Sequence, residues 1–146
     1  MDLTPIFDAI PHREPFLFID EITHYESGLI RCRKTFTGDE FFFAGHYPGF
    51  PLVPGVILCE SILQAGAILL SKMSAGDGEF QNKLPVVAKM GEVRFKQMVK
   101  PGNSVNIEVN FVEKLTSVFF LHGKMQQEGK TILQLDFACA MTDKDH

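Results

Sequence analysis

From Leu52 to Leu70 the chain is apolar at almost every position, and no other feature restricts its architecture as much. The run is about long enough to cross a bilayer, so it belongs either in a membrane or at the centre of a soluble core. Glu60 and Gln64 lie inside it, and Pro54-Gly55 opens it. A carboxylate in mid-membrane is costly. The expectation is therefore a soluble helix over about 54–73, apolar on every side and buried all round, with no membrane insertion. Proline suits its first turn, where a missing N–H had no helical partner.

The segments flanking this helix have the other periodicity. Residues 3–9 can form a short helix, and Phe16–Tyr25 and Leu29–Thr37 read as strands joined by a tight turn at Ser27-Gly28. Ile30, Cys32 and Phe36 alternate with Arg31, Arg33 and Thr35, which gives one buried and one wet face. Ala75–Lys83, with Gly76, Asp77 and Gly78, reads as a loop. Alternation then resumes: Val93, Phe95 and Val99 against Arg94, Lys96 and Lys100, a Pro101-Gly102 turn, then Val105, Ile107, Val109 and Phe111. A strand over 118–126, a turn at Glu128-Gly129 and a last strand carrying Leu133, Leu135, Phe137, Cys139 and Met141 complete the chain. Short turns imply antiparallel pairing. Two strands, one apolar helix and four more strands are most simply packed as an α+β domain, the sheet wrapped around the helix.

The 146 residues suit one domain, 1–146, and no linker, repeat or low-complexity tract divides them. A net charge of −4 argues against a nucleic-acid partner. Cys32, Cys59 and Cys139 are odd in number and widely spaced, each in an apolar stretch, which suits reduced core thiols in a cytoplasmic protein rather than a disulfide framework or a zinc site. The N-terminal sequence has no basic region followed by a long apolar run, so no signal peptide is expected. Glycine-rich nucleotide loops are absent, and Ser61 and Ser71 lack a nucleophile-elbow pattern.

The densest unusual stretch runs from Gly45 to Val56, with prolines at 48, 51 and 54. The prolines should hold it extended and stiff, delivering His46 close to the start of the buried helix. There, unpaired backbone N–H groups and a positive dipole end favour an anionic or carbonyl oxygen. Glu60 follows in the helix, with Gln64 one turn on along the same face. A carboxylate among apolar neighbours must be paired, protonated or open to a cavity. His46 could be an ordinary loop side chain and Glu60 a structural acceptor; catalysis by the two together is the competing reading. His12, His24, His122 and His146 have no evident partner, and structural or surface roles are expected for them.

These residues together resemble a known family. Pro11-His12-Arg13-Glu14-Pro15-Phe16, Gly45-His46-Tyr47-Pro48-Gly49 with Pro54-Gly55-Val56, then Glu60 and Gln64, and finally Val93-Arg94-Phe95-Lys96 with Lys100-Pro101-Gly102 are similar to the signatures of 3-hydroxyacyl-[acyl-carrier-protein] dehydratases of the FabZ type. The resemblance covers nearly the whole chain. It implies a hot-dog fold and a homodimer, commonly assembled as a trimer of dimers, with His46 of one subunit facing Glu60 of its partner. It implies fatty-acid biosynthesis, water leaving a 3-hydroxyacyl thioester to give the trans-2-enoyl thioester. His46 would be the general base and Glu60 the general acid, its protonated form favoured by burial. Gln64 would orient the acid, and the Gly55 N–H would stabilise the thioester oxygen.

No metal or redox cofactor is implied, since the substrate brings its own phosphopantetheine. The acidic carrier protein would dock on Lys89, Arg94, Lys96 and Lys100. Departures from the pattern are Glu14 for a usual Tyr, Tyr47 for Phe, Phe50 for Asn, and Val86 where some relatives have a tunnel-gating Tyr. The alternatives are an acyl thioesterase on the same fold and a non-catalytic acyl-thioester-binding module.

Overall fold

The computed structural model describes residues 2–47, 49–78 and 82–143. In chain order the elements are α1 (Thr4–Ala9), β1 (Glu21–Glu26), β2 (Leu29–Thr35), a 3₁₀ turn (Phe41–Phe43), α2 (Gly55–Met73), β3 (Lys83–Phe95), β4 (Ser104–Leu115), β5 (Val118–Gln127) and β6 (Lys130–Asp143). The six strands form one antiparallel sheet in the order β1-β2-β4-β5-β6-β3. The chain crosses from β2 through α2 to β3 at the far edge beside β6 and then back to β4 beside β2, so β3 and β1 are the edge strands. This is the expected sheet-and-helix architecture, a hot-dog fold.

Helix α2 begins directly after Pro54 and touches β2, β3, β4, β5 and β6. Ile62, Ala65, Ile68, Leu69 and Leu70 are wholly buried, so the apolar run serves as the core of the domain. It is the one helix among the described residues long and apolar enough to span a membrane, and two thirds of its apolar window is buried inside the protein. The sheet supplies the other half of the core through the predicted alternation: Val105, Ile107 and Val109 from β4, Leu121 and Met125 from β5, Leu133 and Leu135 from β6. Contact between the layers is close. A Cβ on Gly123 would lie 2.2 Å from the Ile62 side chain, and one on Gly66 would lie 2.5 Å from the Phe137 ring. The Glu128-Gly129 hairpin forms as expected, both residues at positive φ, the geometry that matches the twist of the paired strands. Cys32, Cys59 and Cys139 are free and buried, and burial pushes the Cys32 and Cys139 thiols up to about 12.

The structure corrects several expectations. The first strand begins at Glu21, not Phe16, because the Phe16 and Phe18 backbone is engaged by the Gln64 side chain instead of a neighbouring strand. The second ends at Thr35, and Phe36 bonds to the turn around Gly102 and Asn103. The expected loop Ala75–Lys83 is shorter at its end, since Lys83 already belongs to β3, and 79–81 lie outside the described residues. Phe95 is not on a buried face: it is 53% exposed, at the end of an edge strand, while Val99 is buried. Val86, Val87 and Met90 are also exposed on β3, so this edge presents apolar side chains to the outside.

Candidate active site

The loop before α2 does not run straight. Tyr47 and Gly49 have positive φ, and the Phe50 N–H donates to Tyr47 O at 2.9 Å, so the chain turns between them before Pro51–Pro54 extends. Pro48 lies outside the described residues. A bond from Val53 N–H to Val99 O (2.8 Å) ties the loop to the segment after β3. His46 is half-buried, with Nδ1 3.1 Å from Leu52 O. A carbonyl oxygen can only accept, so Nδ1 donates, and in the neutral ring Nε2 then keeps its lone pair. That is the tautomer a general base requires.

His46 lines a cavity of about 400 Å³ with Gly55, Leu58, Phe95 and Lys96. Helix geometry leaves the N–H groups of Gly55 and Val56 without intrahelical acceptors; the first bonds run from Ile57 and Leu58 N–H to Pro54 O. Phe95 packs so near Gly55 that an added Cβ would sit 2.9 Å from its ring. Glycine therefore keeps the helix start open to the cavity.

Glu60 faces a second cavity, of about 310 Å³, whose apolar wall comes from Leu63, Ala67, Leu84, Val86, Val87 and neighbouring side chains. It is half-buried and opens to this space, where the sequence suggested apolar neighbours on nearly every side. Gln64, 1% exposed, fixes its position. The Gln64 Oε1 accepts from Phe18 N–H at 2.8 Å, and Nε2 donates to Phe16 O at 2.9 Å and to Glu60 Oε2 at 3.0 Å. Since Phe18 N–H only donates and Phe16 O only accepts, the amide has one satisfied orientation, and its remaining hydrogen points at the carboxylate. The neighbouring Cys59 thiol is pushed up by burial and then by the Glu60 charge.

The N-terminal segment holds this arrangement in place. Ile10, Leu17, Phe18 and Ile19 are buried in the core, and Arg13 caps the end of α1 through the carbonyls of Ile10 and His12. Asp20 accepts from Lys34 Nζ at 3.2 Å and Thr35 N–H at 2.7 Å, locking the segment against β2. His12 is thereby brought to Glu60, its Nε2 3.7 Å from Oε2. The sequence reading did not foresee this contact, having given His12 no evident partner and a structural or surface role. The signal was its place in the Pro11–Phe16 motif. His24 and His122 do have partners, Glu26 and Asp136, and His146 lies outside the described residues.

Within one chain, His46 and Glu60 thus line different cavities. The four basic residues are also separated. Lys96 lines the His46 cavity and Lys100 lies over the nearby Phe50 ring, but Arg94 faces Glu92, and Lys89 shares a third cavity with Glu92, Glu113 and Asp136. Among the described residues no group of three or more His, Cys, Asp or Glu could hold a metal ion.

Residues 10–136 match the FabA-like domain family. A 3-hydroxyacyl-[acyl-carrier-protein] dehydratase FabZ from Anaeromyxobacter sp. is 31% identical over 99% of this chain and 92% of its own. Another FabZ, from Clostridium perfringens, is 35% identical over 89% of this chain and 91% of its own. The chain belongs to the FabZ-type dehydratase family. Among solved structures, the Dehydratase Heterocomplex ApeI:P from Xenorhabdus doucetiae superposes with a TM-score of 0.77 at 15% identity, covering 97% of this chain and 93% of that one. The Escherichia coli PaaI protein superposes at 0.66 with 12% identity, over 82% and 81% of the two chains. At such identities the solved structures establish the fold alone. The FabA-like match over residues 10–136 spans all four candidate site residues: His46, Gly55, Glu60 and Gln64.

Proposed function

We propose that this protein is a hydro-lyase that converts 3-hydroxyacyl-[acyl-carrier-protein] to trans-2-enoyl-[acyl-carrier-protein] in fatty-acid biosynthesis. The observation that carries this reading is the difference in preparation of its two groups. One is an imidazole with a free Nε2 at a helix N-terminus; the other is a carboxylate clamped beside an apolar cavity. Nε2 of His46 takes the α-proton, and the electrons of that C–H bond form the new double bond. The C–O bond at the β-carbon breaks, and Glu60 gives its proton to the departing hydroxide, which leaves as water. Charge growing on the thioester oxygen falls to the N–H of Gly55, with that of Val56 beside it. Gln64 holds the acid in place. No metal or redox group is needed for this proton chemistry.

The working unit is a homodimer built on β3. The His46 cavity is walled by the end of β3, at Phe95, and the Glu60 cavity by its beginning, at Leu84–Val87. If two β3 edges pair antiparallel about a two-fold axis near the strand's middle, the beginning of each meets the end of the other. His46 of one subunit then faces Glu60 of the other, and the exposed Val86, Val87, Met90 and Phe95 are covered. Three such dimers make the family's usual particle. The apolar wall beside Glu60 receives the acyl chain, with the small Val86 where some relatives carry a gating tyrosine. The carrier protein docks at Lys96 and Lys100, by the mouth of the His46 cavity, with Arg94 and Lys89 further out along β3. A cytoplasmic location accords with three reduced, buried cysteines.

The test is hydration of trans-2-enoyl thioesters of several chain lengths on carrier protein and on coenzyme A, followed by loss of enoyl absorbance. Reversible water addition without thiol release is expected. Thiol release without hydration would indicate a thioesterase, and binding without turnover a non-catalytic module.

A further inference from the structure

His12 is unusually placed. Its Nδ1 is buried and has no hydrogen-bond partner among the described residues, while its Nε2 faces Glu60 Oε2 at 3.7 Å. A buried polar atom left unpaired is uncommon and asks for an explanation. The two nitrogens constrain the ring's protonation. An imidazolium would bury a charged, unpartnered N–H at Nδ1, which is costly. The neutral form protonated at Nδ1 would turn an Nε2 lone pair toward a carboxylate oxygen. The neutral form protonated at Nε2 avoids both problems and aims a donor at Oε2. The same oxygen already accepts from Gln64 Nε2 at 3.0 Å.

We infer that His12 is a positioning residue for the acid: with Gln64 it reserves Glu60 Oε2 as an acceptor, so that the transferable proton resides on Oε1. The 3.7 Å contact is a charge–dipole contact in the free enzyme, and contacts of this kind commonly tighten when substrate binds. Two donors converging on Oε2 favour the carboxylate that remains after proton transfer. They also leave one oxygen free to reach the hydroxyl. The remaining ionisable groups in reach are few. Cys139 of β6 lines the same cavity and Cys59 adjoins Glu60 on α2. The stretch of β3 facing the cavity (Leu84–Val87) is apolar, and the Arg13 guanidinium is turned to backbone carbonyls. Within one chain His12 is thus the nearest group able to bias Glu60; in the proposed dimer His46 of the partner subunit faces the same carboxylate from across the interface.

The inference rests on the dehydratase reading, and two measurements keep them separable. Nitrogen NMR of the wild-type protein with labelled histidine reads the ring directly, without turnover. A neutral His12 protonated at Nε2 is expected near pH 7; an imidazolium, or the Nδ1-protonated form, overturns the inference even if dehydration is confirmed. The second measurement is the pH profile of kcat. His12→Asn, whose amide nitrogen cannot reach the Nε2 position, should lower kcat about 10-fold or more with KM little changed. It should also move the alkaline limb upward by up to about one unit, because the carboxylate loses a donor. His12→Gln, whose amide can reach that position, should restore the limb. An unmoved limb in His12→Asn, whatever its activity, overturns the inference.

Discussion

The two cavities flanking the start of α2 are held in contrasting ways. Around Glu60, one buried glutamine binds two backbone groups of the N-terminal segment and the carboxylate together, so the acid is fixed by the same bonds that hold the fold. His46 sits on a turning loop, its ring bonded to Leu52 O and packed edge-on against Tyr47, its N–H donating to Phe43 O at 3.4 Å. The lesson is a division of labour. In the mechanism proposed, the acid is preorganised by the core, whereas the base depends on a loop anchored by the Val53–Val99 bond and, in the assembly proposed, on a second subunit.

The largest expected effects break the contrast at its centre. Removing either group, as His46→Ala or Glu60→Gln, should lower enoyl hydration by about 10²–10⁴-fold, the usual contribution of a positioned acid or base. Circular dichroism and sedimentation should be unchanged, since neither side chain belongs to the buried core. Next is the β3 edge. Met90→Glu places a charge amid the exposed apolar stretch of that strand and should convert the proposed dimer to monomer in sedimentation, with loss of turnover. A monomer that retained activity would place the whole site within one chain.

Gln64→Leu sharpens the contrast, because the acid's clamp is also structural. It leaves Phe18 N–H and Phe16 O unpaired and should cost about 1–3 kcal/mol for a buried group so abandoned, read by urea unfolding. Activity should fall with it. His46→Ala should show no such cost. The smallest effect lies away from both cavities. Burial raises the Glu108 carboxyl, but hydrogen bonds and charge from Arg31 and Lys124 outweigh it, holding the group below its ordinary range. A depressed carboxyl stabilises the fold fully above its unfolded pKa, and that contribution is lost as pH falls through the folded value. Glu108→Gln should therefore flatten the decline of stability below about pH 4.5 and leave neutral-pH activity alone.

The same contrast explains what could be read from the chain. The apolar run, the alternating β4 to β6 and the glycine turns are local patterns, and each formed where it was expected, although β4 continues past Phe111 to Leu115 and β6 already starts at Lys130. His46, Gly55, Glu60 and Gln64 stand out by motif and spacing around one helix start. Two things were not legible from local pattern. One is the course of Phe16–Asp20, where a strand-like sequence surrenders its backbone to a glutamine 46 positions away. The other is His12, whose role depends on where that segment is carried. Both are set by tertiary contacts. Phe95 and the β3 edge were misjudged because period-two patterning does not distinguish a face turned to the core from an apolar face left exposed.

The most direct test of the shared site is complementation between inactive subunits. His46→Ala and Glu60→Gln chains carrying different tags are coexpressed, and the mixed dimers are isolated and assayed. If each site takes its base from one chain and its acid from the other, a mixed dimer holds one intact pair and should recover about half the wild-type turnover. If base and acid act within one chain, every site in that dimer lacks a partner and turnover stays at the level of the single variants.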